Sequence, residues 1–240
     1  MRAALKTVEQ VTAGEALAID YAGSEVLLDP AGAAWFADER LLVVSDMHLE
    51  KGSSFARRRV FLPPYDTAAT LARLAAMAAK YDPATIVSLG DAFHDDQASE
   101  RLGDDAISAI GAIARGRDMV WVTGNHDPSP PDGVPGLSVD MLAFGRIVFR
   151  HIAEAQETGP EVSGHWHPCA RLVRHGKAVR RACFASDGVR LVMPSFGVFT
   201  GGLNVRDEAY AGLFHAATFR AYMLGSDRVH AVGAKDLYGD

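Results

Sequence analysis

Three apolar runs constrain the fold of this chain more than any other feature. "RLLVVSDMH" (residues 40–48), "ATIVSLGD" (84–91) and "DMVWVTGNHD" (118–127) are each too continuously apolar to be strands with one wet face. They read as short strands buried on both sides, each delivering polar residues at its C-terminal end. The stretches between them have a different period. Leu71, Leu74 and Met77 recur at helical spacing, behind Asp66 as a predicted N-cap and ahead of the Tyr81-Asp82-Pro83 stop, and "DDAISAIGAIARG" reads as a second helix. Strand and helix in alternation predict a layered α/β domain.

After residue 138 the texture changes to short strand-like runs, "RIVFRH", "AVRRACFA" and "VRLVMPSF", separated by turn residues, which predicts a β-rich second half. The Pro/Gly stretch "DPSPPDGVPGLS" between the halves is too short to link independent units, so residues 1–240 are read as one domain. With 48% apolar residues the chain can bury a sizeable core. Its apolar runs are too short to cross a bilayer, and "MRAALKTVEQ" carries charges where a signal peptide is apolar, so the expected location is the cytoplasm, with no membrane partner. Cys169 and Cys183 are too few for a disulfide framework and are expected as small buried or half-buried hydrophobic residues. A net charge of −6 excludes binding nucleic acid over the whole surface by phosphate neutralisation, so an anionic substrate must be held locally. The one cationic cluster, Lys51 with Arg57, Arg58 and Arg59 in "EKGSSFARRR", reads as a loop that either is simply solvated or contacts substrate.

The polar residues at the strand ends are mostly of metal-ligand type: Asp46 and His48, Asp91, Asn125 with His126 and Asp127, His151, and His165 with His167. On extended backbone, residues two apart face the same side, so Asp46/His48 and His165/His167 can each present two donors to one site. Gly90, Gly124 and Gly164 precede donors, where a turn needs positive φ or backbone passes close to another group. His94 and Asp95 in "GDAFHD" are either partners that orient the ligands or ordinary loop residues.

In this order, D-x-H, G-D, G-N-H-D, a single His and G-H-x-H resemble the motifs of the calcineurin-like binuclear metallophosphoesterases. The resemblance spans Asp46 to His167. It implies a four-layer α/β/β/α sandwich and two divalent metal ions. By position it implies Asp46, His48 and His167 as ligands of one metal, Asn125, His151 and His165 as ligands of the other, and Asp91 as the bridging carboxylate. His126 matches the histidine that the family uses near the leaving group, and Asp127 is placed to orient it. A nitrogen and oxygen donor set suits manganese, iron or zinc better than magnesium or calcium. "LLVVSDMHLEKGSSFARR", "FLPPYDT", "GDAFHD", "TGNHDP" and "MPSFGVFTGGLNV" are further similar to the bacterial ligase-associated DNA-damage-response endonucleases. That resemblance implies manganese-dependent cleavage of DNA, single-stranded or damaged, in the company of a DNA ligase and a helicase.

The chemistry is coherent with the residues. Two cations about 3.5–4 Å apart lower the pKa of a bridging water and clamp the phosphoryl oxygens for in-line attack. Their charge outweighs that of Asp46, Asp91 and one hydroxide, which reconciles an acidic chain with a phosphodiester substrate. Protonated His126 could donate to the leaving oxygen, and Lys51, Arg57, Arg58 and Arg59 could carry the positive field along a strand. Two other readings stay open: a small-molecule phosphodiesterase or phosphomonoesterase on the same metals, and a non-catalytic scaffold that docks repair partners.

Overall fold

The computed structural model describes residues 15–60, 62–63, 65–95, 97–126, 133–154 and 159–240. Its first sheet opens with an antiparallel meander, β1 (Leu17–Tyr21), β2 (Ser24–Leu28) and β3 (Ala34–Phe36), which passes antiparallel to β4 (Leu41–Val44). From β4 the pairing turns parallel, through β5 (Thr85–Leu89) and β6 (Asp118–Val122) to β7 (Leu137–Val139). Parallel neighbours need crossovers. Helices α1 (Lys51–Arg57) and α2 (Asp66–Tyr81) connect β4 to β5, and α3 (Asp104–Ala114) connects β5 to β6.

The alternation inside β4 shows why the run is apolar throughout. Leu42 and Val44 pack with Leu71, Leu74, Met77, Ile110 and Ile113 beneath the helices. Leu41 and Val43 face the other way, into a layer shared with Val87, Val120, Phe149, Phe184 and Leu191. Full burial of each such side chain contributes about 1.5–3 kcal/mol relative to exposure. The second layer belongs to the second sheet, built from β8 (Met141–Phe144), β9 (Ile147–Arg150), β10 (Glu161–Ser163), β11 (Pro168–Arg174), β12 (Lys177–Ser186), β13 (Arg190–Val192), β14 (Leu203–Asn204), β15 (Arg220–Leu224) and β16 (Val229–Gly233). Its order is β14-β11-β12-β13-β10-β9-β8, with β15 added on β12 and β16 on β15.

The fold is thus the expected mixed α/β sandwich of two sheets. The fourth layer is thin. Over the outer face of the second sheet, Val205, Tyr210, Leu213, Phe219 and Leu237 pack on Ala170, Cys183, Val192 and Met223, and this cover is made of loops and 3₁₀ turns. Cys169 and Cys183 are buried free thiols. Among the described residues no helix is long and apolar enough to cross a membrane.

Two local expectations need correction. The basic stretch expected as a loop is largely helical, as α1. Asp66 is not the N-cap of α2, a position held by Tyr65; its buried carboxylate reaches back to accept the Gly52 N–H at 2.8 Å. It satisfies a free donor in the first turn of α1 and so ties the basic helix to α2. The predicted stop holds, with Asp82 in left-handed conformation donating its N–H to Ala78 O at 3.0 Å.

Candidate metal centre

Each parallel strand ends in the interior and then turns sharply. Asp46 (φ 50°), His48 (46°), Asp91 (44°), His165 (67°) and His167 (44°) all hold left-handed backbone. That conformation costs a non-glycine residue about 1 kcal/mol or more, and its concentration in one place is characteristic of functional sites. It also overturns the expectation of extended backbone. Left-handed residues break the alternation of a strand, so His165 and His167 turn to two neighbouring clusters.

The turns are pinned to one another. Asp46 N–H donates to Gly90 O at 3.2 Å, His48 N–H to Asp91 O at 2.9 Å, and Gly164 N–H to His151 O at 2.9 Å. Two glycines are required by close approach. A Cβ on Gly90, itself at φ 69°, would stand 2.3 Å from His151 Nδ1. One on Gly164 would stand 1.9 Å from Ser45 Oγ and 2.6 Å from Asp46 Oδ2.

Donor atoms of Asp46, His48 and His167 form one cluster, and those of Asp91, His151 and His165 a second, each with its atoms within 4.8 Å of one another. In the second, His151 Nδ1 must donate to Leu89 O at 3.0 Å, because a carbonyl only accepts. In the neutral imidazole this leaves Nε2 as a lone pair. It faces Asn125 Oδ1 at 3.0 Å, His165 Nδ1 at 3.3 Å and Asp91 Oδ2 at 3.4 Å. Four atoms able to ligate a metal, Asn125 Oδ1, His165 Nδ1, Asp91 Oδ2 and, once deprotonated, His151 Nε2, converge on one point, and the Nδ1 to carbonyl bond is the arrangement that orients metal-binding histidines. In the first cluster His167 Nε2 lies 3.0 Å from Asp46 Oδ1 and 3.4 Å from His48 Nε2. The clusters adjoin, with His151 Nδ1 4.0 Å from Asp46 Oδ1. The donor set therefore fits two divalent ions.

Electrostatics agree with that geometry. Burial pushes the His48 imidazole down to about 3, against the pull of Asp46, so it stays neutral and able to ligate. Burial alone would raise the Asp91 carboxyl, yet the hydrogen bond with His151, that imidazole's charge and the His126 amide hold it at about 2. Burial opposes protonation of His151, but Asp91 and Asp46 outweigh it and raise its pKa. His165 is lowered by burial and by His151.

His126 stands at the mouth of the site. Its N–H donates to Asp91 Oδ1 at 2.9 Å, its Nε2 lies 4.0 Å from Asp91 Oδ2, and its side chain is 47% exposed. Its ring stacks on His94, whose ring in turn meets those of His48 and Phe55 edge-on or tilted. Burial, and then the Lys51 charge, lower His94 to about 4. His94 thus packs against His48 and His126, whereas the Asp95 carboxylate pairs with Arg101 at 2.7 Å. Asp127, expected to orient His126, lies outside the described residues.

Of the basic residues, Lys51 borders the same mouth. Lys51 is half-buried over the Phe55 ring, and that ring in turn meets His94 at 5.6 Å between centroids. Arg57 donates to Gln97 Oε1, while Arg58 and Arg59 are exposed. A cavity of about 400 Å³ opens beside the second cluster, lined by Thr123, Asn125, Asp140, Met141, His151 and Ile152 among others.

The family model for calcineurin-like phosphoesterases matches residues 39–181, from the start of the β4 region into β12. The crystal structure of the Pseudomonas putida nuclease MPE is similar at a TM-score of 0.70 and 26% identity, covering 91% of this chain and 100% of that one. Yfce, a phosphoesterase from E. coli, aligns at a TM-score of 0.41 and 14% identity over 80% of this chain and 98% of its own. No curated protein gives a significant match.

Proposed function

The chain belongs to the calcineurin-like phosphoesterases and is a metal-dependent phosphoesterase, and from that premise we propose that it is a DNA endonuclease acting in repair. The observation that carries the proposal is the convergence of ligand-type atoms around His151 Nε2 beside the Asp46/His48/His167 cluster. The likeness to a nuclease over 91% of the chain supports nucleic acid as the substrate.

When bound, two divalent cations neutralise the phosphoryl oxygens and lower the pKa of a water for attack in line with the leaving group. Asp46, His48 and His167 would hold one ion and Asn125, His151 and His165 the other. Asp91 would stand between them, since its two oxygens can face in two directions. Manganese is the ion proposed, with iron and zinc compatible with the same donors. His126, half exposed with its Nε2 4.0 Å from Asp91 Oδ2, is placed to hold a proton for the departing oxygen, with Asp127 as its orienting carboxylate. Lys51, Arg57, Arg58 and Arg59 would take the phosphates next to the scissile one. The cellular setting proposed is cytoplasmic repair alongside a DNA ligase and a helicase.

Incubating the metal-loaded protein with labelled single- and double-stranded DNA, and with bis(p-nitrophenyl) phosphate, tests the proposal. Internal cleavage of DNA is the expected result. Hydrolysis of the small diester with no cleavage of either DNA would transfer the site to a small-molecule substrate.

A further inference from the structure

Two segments singled out in the sequence, "FLPPYDT" and "MPSFGVFTGGLNV", contribute none of the metal-ligand candidates. Both are nevertheless fastened to the first cluster. In the second segment Ser195 Oγ donates to Asp46 O at 2.7 Å, Gly197 N–H donates to the same oxygen at 3.2 Å, and Leu203 N–H donates to His167 O at 3.0 Å. Phe199 lies between these anchors. The first segment brings Tyr65 to the N-cap of α2, where the adjacent Asp66 accepts from Gly52 and Thr67 Oγ1 accepts the Glu50 N–H at 2.8 Å, two residues beyond His48. The two segments meet in a ring contact, with the Tyr65 and Phe199 centroids 5.7 Å apart.

Tyr65 is 57% exposed. Its hydroxyl takes no part in capping α2. An exposed aromatic ring in contact with a second ring, its neighbour Asp66 tied to Gly52 next to Lys51 at the start of the basic helix α1, combines the two elements of a single-strand binding surface: a flat apolar face for a base and cations for the backbone. Bases of an intact duplex are stacked on one another and offer no free face. An unpaired base does.

We infer that Tyr65, backed by Phe199, is a stacking platform for an unpaired nucleobase of the DNA substrate, beside the scissile phosphate on the side of the Asp46/His48/His167 cluster. The inference rests on the nuclease reading and gives that reading a base-binding site.

The test combines removal of the ring with removal of the base. KM is measured with manganese for wild type, Tyr65→Ala and Tyr65→Phe, on a single-stranded oligonucleotide and on a series in which one abasic position is moved across the cleavage site. Tyr65→Ala should raise KM for the intact strand about tenfold, within the range of base–aromatic stacking. At one abasic position wild type should suffer a similar rise, and Tyr65→Ala should suffer no additional one, since ring and base are two halves of one pair. Tyr65→Phe, which keeps the ring, should stay close to wild type. An unchanged KM in Tyr65→Ala, or losses that multiply at every abasic position, would overturn the platform while leaving the nuclease intact. A wild type that hydrolyses bis(p-nitrophenyl) phosphate but no oligonucleotide would overturn the nuclease reading and the platform with it.

Discussion

The imidazole of His126 lies nearly parallel to that of His94, with centroids 5.8 Å apart and planes inclined by 11°. The pair places an exposed histidine beside the Asp91 carboxylate without making its ring part of either donor cluster. That arrangement separates proton delivery from metal binding. A sugar alkoxide is a poor leaving group and needs a proton, whereas nitrophenolate does not. His126→Ala should therefore lose about 10²- to 10⁴-fold on DNA and much less on a nitrophenyl diester, with metal content near wild type. Equal losses on both substrates with metal retained would show that His126 is not the acid.

Gly164 packs its Cα against Ser45 and Asp46 so closely that a methyl group would overlap Ser45 Oγ. Gly164→Ala should displace the Asp46 carboxylate and release metal from the first cluster. Gly90→Ala should strike the His151 ring and affect the second cluster, with added strain from its positive φ. Metal content of the purified variants, measured against wild type, distinguishes these outcomes from a general loss of folding, which melting curves would register.

Proton and metal compete for the same imidazoles, and the direction of the pH effect follows from His151. Its pKa is raised, so the metal-free protein keeps a proton on it above the usual histidine range. Metal must displace that proton, and affinity should fall as pH falls. Calorimetric titration with manganese between about pH 6 and 8 should show weakening affinity and increasing proton release toward acid. An affinity independent of pH would remove His151 from the ligand set.

Lys51 reaches His94 through the Phe55 ring, and Arg57, Arg58 and Arg59 follow at the exposed end of the same helix. Joint neutralisation of Arg57, Arg58 and Arg59 should weaken single-stranded DNA binding and flatten its salt dependence, by up to about 0.7 in slope for each phosphate that is no longer neutralised. Small diesters have no neighbouring phosphates and should be affected far less. An unchanged slope would return these arginines to the solvent.

The parallel strands and helices of the first half were legible because their patterns are long and continuous: "RLLVVSD" and the Leu71/Leu74/Met77 stripe are unlike anything but a buried strand and a core-facing helix. The opening meander was harder to see. Leu17–Tyr21 and Ser24–Leu28 are only five residues each, and their turn, Ala22 and Gly23 at φ 58° and 84°, has glycine in the place a hairpin requires but no Asn or Asp to announce it. The donor residues were legible by type and order, while their backbone was not. Positive φ at Asp46, His48, His165 and His167 is imposed by bonds to segments far along the chain, such as Gly90 O and the Ser195–Gly197 loop, which local spacing does not report. His94 remained ambiguous for the same reason, because its role is set by rings arriving from His48, Phe55 and His126.

Asp91 tests the two-metal site by loss. Asp91→Asn should abolish hydrolysis of every substrate and reduce the stabilisation that manganese gives the wild type, which is about 2.7 kcal/mol at a free metal concentration one hundred times Kd. Normal turnover in this variant would end the bridging role.

The most direct measurement is an anomalous-scattering map of crystals grown with manganese. Two peaks about 3.5–4 Å apart are expected, one enclosed by Asp46, His48 and His167, the other by Asn125, His151 and His165, with Asp91 touching both. A single peak, or two peaks that do not share Asp91, would contradict the binuclear centre on which the functional account stands.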